Sequence, residues 1–302
     1  MTTPGYINSG VITTDVKTDT SNVNGKTAIV TGGASGIGEA YVRALVKAGA
    51  FVVIADLDEE VGHNLAKELS SSEIKFVKTD VTKWTDQLAM FKTAISSSPS
   101  GRIDIVIANA GISAADSIFA NNLELDEPEE PRLNVIDVNL TGVLYTVKLA
   151  LFYFRKQNAA RKDGDLDQNL ILQGSLAGYL DLHGAVQYSA SKWGLRGIMR
   201  CLRRSELSHN IRVNYIAPWF IQTKIMSEAF VQYLQQRNVD FATVEDAAEA
   251  ALKIISDTRV KGRSLAILPR SLNLQGYQDL DNDDYPDDTL LGRLQDMVLV
   301  NS

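Results

Sequence analysis

Residues 27–56 read TAIVTGGASGIGEAYVRALVKAGAFVVIAD, and this stretch decides the fold. Thr27–Val30 is an apolar run of strand length, and the turn Thr31-Gly32-Gly33-Ala34-Ser35-Gly36-Ile37-Gly38 follows it. Ala40, Val42, Leu45 and Val46 then recur at helical spacing, and Lys47-Ala48-Gly49 supplies a terminal cation and a glycine stop. Phe51–Ala55 is a second apolar run that closes on Asp56. Strand, glycine turn, helix and strand in this order form the frame that a dinucleotide fingerprint requires. Glycine lets the backbone turn sharply and approach a pyrophosphate, and the helix start offers free N–H groups and a positive dipole end. Gly32, Ser35, Gly36, Ile37 and Gly38 are therefore the candidate phosphate-binding residues.

Asp56 stands where a carboxylate can accept hydrogen bonds from the adenosine ribose hydroxyls and repel a 2′-phosphate. Asp58 adds negative charge, and no Arg or Lys intervenes before Lys67. These residues point to NAD rather than NADP as the cofactor.

Working outward, further strand-length runs occupy Ile74–Thr79, Ile103–Ala108, Leu170–Leu172, Arg212–Ile216 and Ser264–Leu268. Helical patterns over Glu59–Leu69, Thr82–Ile95, Leu133–Gln157, Ala185–Leu207 and Thr243–Ser256 separate them. Alternation of this kind predicts an α/β protein. The expected architecture is a single Rossmann-fold domain over residues 25–270, a doubly wound parallel sheet of seven strands flanked by helices. Right-handed crossovers then bring the strand C-termini to one edge, where ligands bind. Leu133–Gln157 is apolar on more than one face, which suits a helix buried in the core or shared with a second subunit.

Residues 1–24 read as a loosely packed extension, and the Asp-rich residues 271–302 as a solvated tail. The tail fails as a calcium loop: Asp284 stands where Gly is needed, and Leu290 where a bidentate Glu is needed. No His, Cys and carboxylate cluster has metal spacing, so no catalytic metal is expected.

The 302 residues are 45% hydrophobic and 22% charged, enough for a large core. A net charge of −7 argues against a nucleic-acid-binding surface. The lone Cys201 excludes an internal disulfide framework and fits a reducing compartment. The first ten residues lack the basic and apolar regions of a signal peptide, and the apolar runs fall short of a membrane span. A cytoplasmic protein is expected, with no nucleic acid or membrane as partner.

The chemistry concentrates in residues 174–207, GSLAGYLDLHGAVQYSASKWGLRGIMRCLRRSEL. Tyr188 and Lys192 are four apart, on one face of a predicted helix. A phenol near an ammonium should lose its proton more readily and become a usable acid or base. Ser175, just past a strand, could hydrogen-bond the same substrate oxygen.

Taken with Asn109-Ala110-Gly111 after the fourth strand, these residues resemble the classical short-chain dehydrogenase/reductase family over about Lys26 to Leu268. The resemblance assigns Thr31, Gly32, Gly36 and Gly38 to the dinucleotide and Asp80-Val81 to the adenine region. It sets Asn109, Ala110 and Gly111 along the cofactor, and Pro218 and Thr223 near the nicotinamide. It makes Tyr188 the acid/base and Ser175 its partner. Lys192 also contacts the nicotinamide ribose, and Asn139 holds a water that relays protons. It implies a homodimer or homotetramer built through the helices over Leu133–Gln157 and Ala185–Leu207.

Two departures stand out. Trp219 replaces the usual glycine after Pro218 and is expected to shape the pocket. The last strand ends in Leu268-Pro269-Arg270 rather than Asp-Gly-Gly, an ending closer to the hydroxyprostaglandin dehydrogenase branch.

The function implied is interconversion of a secondary alcohol and a ketone with NAD, on a small, partly apolar substrate. Two alternatives stay open: an NADPH-dependent ketone reductase of natural-product biosynthesis, and a non-redox dinucleotide-binding scaffold. Phe220, Ile225, Met226, Phe230 and Tyr233 are candidates for a lid, and His183 reads as a surface residue near the substrate side.

Overall fold

The first strand, β1 (Thr27–Thr31), is buried at every position because it lies in mid-sheet between β2 (Phe51–Asp56) and β4 (Ile105–Ala108). A strand covered on both faces needs the continuous apolar run that residues 27–31 and 51–55 provide. The structure is a computed structural model and describes residues 10–14, 18–69, 73–120, 123–161, 164, 166–206 and 209–300. The remaining strands are β3 (Ile74–Lys78), β5 (Gln168–Gln173), β6 (Ile211–Pro218), β7 (Ser264–Ile267) and β8 (Tyr277–Asp279). Their order in the sheet is β3-β2-β1-β4-β5-β6-β7-β8. The first seven pair in parallel, and the order reverses direction at β1 and β4, which opens a crevice at their C-terminal ends.

Helices cover both faces. On one side α1 (Gly36–Lys47), α2 (Glu59–Leu69) and α8 (Val244–Ser256) bury Tyr41, Leu45, Leu65, Ala247 and Ile254. On the other, α3 (Trp84–Ser97), α5 (Gly142–Ala159) and α6 (Val186–Ser205) bury Phe91, Phe154, Leu195 and Met199. The expected single helix over 133–157 is a composite: α4 (Asn134–Ile136), a π turn over Asp137–Thr141, then α5. By length and composition Asn134–Ala159 could cross a bilayer, contrary to the reading of the apolar runs. Here Val143, Val147, Ala150 and Phe154 pack into the core instead.

The sheet has eight strands, not seven. Leu268-Pro269-Arg270 begins a turn closed by Leu268 N–H donating to Gly276 O, and β8 then pairs antiparallel with β7. The acidic stretch expected to be a solvated tail therefore folds back. Arg263 is buried between Asp279 and Asp281, with N–O distances of 2.7 Å to each. Asp283 is buried against Arg196, Ser264 and Tyr179. The chain continues to α9 (Leu290–Val300), whose Leu290, Leu291, Leu294 and Met297 are exposed. The described part of the N-terminal extension is also seated: Ile12 N–H donates to Asp279, and Val23 is fully buried. Between α6 and β8, α7 (Glu228–Gln235) lies in the segment expected to carry a lid.

Candidate active site

The glycine turn is built by contacts from β1 and the end of β4. Gly32 has φ +61°, and a Cβ there would lie 2.8 Å from Ala110 Cα. A Cβ on Gly38 would come within 2.0 Å of Gly32 O. Asn109 Nδ2 donates to Thr31 O and Gly32 O, while Thr31 Oγ1 accepts from Asn109 N–H and Ala110 N–H. Asn109 and Ala110 thus fix the turn's shape, and Gly111 closes on Asn139.

Ser35 caps α1 in extended backbone, but its side chain makes no cap hydrogen bond. The first amides of α1, including those of Gly36, Ile37 and Gly38, are the ones a helix leaves without intrahelical acceptors. Asp56 Oδ2 accepts from Ala34 N–H at 2.9 Å, and Oδ1 accepts from Asp58 N–H at 3.0 Å. Its carboxylate therefore lies against the glycine turn with acceptor capacity left over. Thr223 faces the turn from the far half of the sheet, since a Cβ on Gly36 would meet its Cγ2 at 3.2 Å. Pro218 ends β6 on the same sheet edge.

Asp80 accepts from Thr82 N–H and Oγ1–H, and these bonds hold its carboxyl below the usual range. Val81 O accepts from Gln87 Nε2, and Val81 packs under Gly142. Both residues are thus visibly organising the turn after β3.

Ser175, Tyr188 and Lys192 come together at the end of β5. Ser175 opens a short turn over Leu176–Gly178, where its Oγ accepts from Ala177 N–H. Its hydroxyl lies beside the Tyr188 phenol and acts to lower that group's proton affinity. Lys192 Nζ donates to Gln173 O at 2.9 Å and lies 5.4 Å from the Tyr188 ring centre. Burial raises the Tyr188 phenol, and the neighbouring Ser175 hydroxyl only partly offsets this. Burial pushes Lys192 down to about 8. A phenol below its usual range is the expectation; instead desolvation, which penalises the charged form, leaves Tyr188 raised.

Asn139 is fully buried in the π turn, with Oδ1 accepting from Ile112 N–H and Nδ2 donating to Ile112 O. Its amide is occupied in bracing the wall after β4. Trp219 turns its indole N–H to Asp240 O at 3.1 Å, so it is tied to the segment before α8. Of the lid candidates, Phe220, Phe230 and Tyr233 form a ladder of rings, Phe220 to Phe230 at 5.7 Å and Phe230 to Tyr233 at 6.1 Å. Phe230, Tyr233 and Ile225 are exposed, while Val231 and Leu234 anchor α7. His183 is exposed.

Two features escaped the sequence reading. Asp116 accepts from Gln187 N–H and Nε2, and Gln187 also donates to Arg132 O, which ties the loop before α4 to the start of α6. Tyr215 lies directly beneath Ser175. Neither shows a periodic signal; the only hint of Tyr215 is the pair of glycines, Gly174 and Gly178, that make room for it.

Residues 26–233 match the family model for short chain dehydrogenase. The chain belongs to the short-chain dehydrogenase family. This short-chain dehydrogenase is 37% identical over 282 residues to 5′-hydroxyaverantin dehydrogenase of Dothistroma septosporum, covering 88% of this chain and 90% of that protein. It is 33% identical over 273 residues to NADP-dependent dehydrogenase M3 of a Phoma species, covering 86% and 79%. The solved 3-ketoacyl-(acyl-carrier-protein) reductase from Brucella melitensis, complexed with NADH, superposes with a TM-score of 0.69 at 26% identity, covering 81% and 97%. The protein is thus an oxidoreductase of the Rossmann fold with a nicotinamide dinucleotide as cofactor. The residues present fit that group: a crevice beside β1, a glycine turn with no space for side chains, open amides at α1 and an acceptor at Asp56.

Proposed function

We propose that this short-chain dehydrogenase interconverts a largely apolar secondary alcohol and its ketone, using NAD. The observation that carries the reading is the meeting of Ser175, Tyr188 and Lys192 at the sheet edge that also holds the glycine turn. When bound, the nicotinamide supplies the hydride acceptor or donor. Ser175 holds the substrate oxygen by hydrogen bonding. Tyr188 takes the hydroxyl proton in oxidation or returns it in reduction. Lys192 keeps a cation beside the ring while it is protonated and so favours loss of the phenolic proton at the moment of transfer.

NAD is favoured by Asp56, whose carboxylate lies against the turn and is followed by Asp58 rather than a cation. A largely apolar substrate is supported by the exposed Phe119, Leu180, Val186, Phe230 and Tyr233 on the loops, α6 and α7, and an alcohol by the first relative's name, a hydroxyaverantin dehydrogenase. Asp80-Val81 by the adenine, Pro218 and Thr223 by the nicotinamide, and a water relay past Asn139 complete the proposal. A homodimer through α5 and α6 is part of it, supported by the exposed Leu144, Phe152 and Trp193 on those helices. So is a cytoplasmic setting, in keeping with the free, exposed thiol of Cys201.

A second reading, an NADPH-dependent ketone reductase, is favoured by the relative named as NADP-dependent. Initial rates with NAD and NADP over secondary alcohols from small aliphatic to polycyclic separate the two. We expect kcat/KM to favour NAD by at least about tenfold, the effect of ~1.4 kcal/mol, and to rise toward polycyclic alcohols. A clear preference for NADP would overturn the cofactor assignment. Tight NADH binding with no turnover across the panel would favour the non-redox scaffold.

A further inference from the structure

Tyr215 sits in the middle of β6, fully buried, with its ring under the turn that carries Ser175. Its hydroxyl accepts from Ser175 N–H at 3.1 Å. The same hydroxyl lies 3.1 Å from Ser175 O and 3.2 Å from Lys192 O, to either of which it can donate. One O–H group thus joins the backbone of Ser175 to the backbone of Lys192, across 17 positions of chain.

The surrounding glycines are cut to this phenol. A Cβ on Gly174 would come within 1.8 Å of Tyr215 Cζ, and one on Gly178 within 2.5 Å of its hydroxyl oxygen. Neither glycine adopts positive φ, so what they contribute is space rather than backbone freedom. The Tyr179 ring meets Tyr215 edge-on at 6.1 Å, and the Tyr179 hydroxyl donates to buried Asp283. The turn is therefore gripped from the sheet by Tyr215 and from the C-terminal segment through Tyr179.

We propose that Tyr215 is a positioning residue: its hydroxyl sets the register between the Ser175 turn and α6, so that the Ser175 hydroxyl and the Lys192 ammonium meet Tyr188 from fixed directions. The proposal rests on the reading of Ser175, Tyr188 and Lys192 as the reacting set. Tyr215 itself touches no substrate and moves no proton. Burial raises its phenol, which keeps it a neutral hydrogen-bonding group. Small misplacements of reacting groups are costly, about a hundredfold in rate for 1 Å.

Tyr215→Phe keeps the ring and removes only the O–H. The expected result is a fall in kcat of about tenfold or more, with the NADH dissociation constant and the KM for NAD unchanged, as for loss of an interaction that matters only in the transition state. Amide hydrogen exchange should quicken at residues 174–179 and stay the same in β1 and α1. In a double-mutant cycle Tyr215→Phe should add little to Ser175→Ala, because both act through one group. Tyr153→Phe, at a tyrosine of α5 whose ring stacks on Phe91, is the control for losing a phenolic hydroxyl away from the site and should turn over normally.

Wild-type kcat in Tyr215→Phe, full additivity with Ser175→Ala, or unchanged exchange at 174–179 would each refute the positioning role. Failure of the underlying reading looks different: Tyr188→Phe would itself keep its turnover. If Tyr215→Phe loses only melting temperature, in step with Tyr153→Phe, the hydroxyl is structural and the proposal is wrong.

Discussion

Burial sets the resting state of Tyr188 and Lys192. It holds the phenol protonated and brings the lysine's transition to about 8. Below that pH Lys192 carries its charge beside the ring; above it the charge is lost while the phenol is still neutral. Ketone reduction needs a phenol that can give up its proton, and the neighbouring cation makes that proton easier to lose. We therefore expect kcat/KM for reduction to be level at lower pH and to fall as pH rises through about 8. A pH–rate profile checks this, and Lys192→Arg should move the alkaline limb upward because a guanidinium keeps its proton. At this scale the four-residue spacing of Tyr188 and Lys192 and the placement of Asp56 were legible, because helix and strand geometry project neighbours onto one face. Their proton affinities were not, because spacing carries no measure of desolvation. Tyr215 was illegible for another reason: its partners come from a different strand end and a different helix, and no period links them.

At the scale of elements, β8 decides how the chain ends. Arg263 and Asp279 are both buried, and Arg263 also reaches Asp281 and Asp284. Asp279 further accepts from Ile12 N–H, so one carboxylate locks the last strand and the N-terminal segment to β7. Removing one partner of a buried pair strands the other charge. Asp279→Ala is expected to lower unfolding stability by about 3–5 kcal/mol, seen as a lower midpoint in urea with the cofactor site intact. A change within ±0.5 kcal/mol, typical of surface substitutions, would mean that the pair is solvated after all. The acidic run 279–288 reads as a solvated tail because a string of Asp does not declare its partners. Arg196, Arg203 and Arg263 lie far back in sequence, and only the fold brings them near. The five acids between 124 and 130, by contrast, are exposed, as their pattern implies. The π turn within Asp137–Thr141 is likewise invisible to periodicity, since it shifts the helical phase by a single residue.

Across the whole molecule the two halves of the sheet do separate work. The half around β1 shapes the glycine turn and Asp56, and the half around β5 and β6 carries Ser175, Tyr188 and Lys192. They meet along the crevice, where Thr223 from beyond β6 faces Gly36 across a gap that a Cβ on Gly36 would fill. The parallel core was legible because alternating strand and helix patterns fix the winding; the closing antiparallel strand was not, since three residues leave no pattern. On the proposed roles, binding and chemistry are separable. The most direct measurement is therefore turnover and NADH affinity in Tyr188→Phe, side by side with wild type, on the best alcohol of the panel. The expected result is a loss of kcat of about 10²–10⁴-fold with NADH bound as tightly as before. Turnover close to wild type in Tyr188→Phe would contradict it.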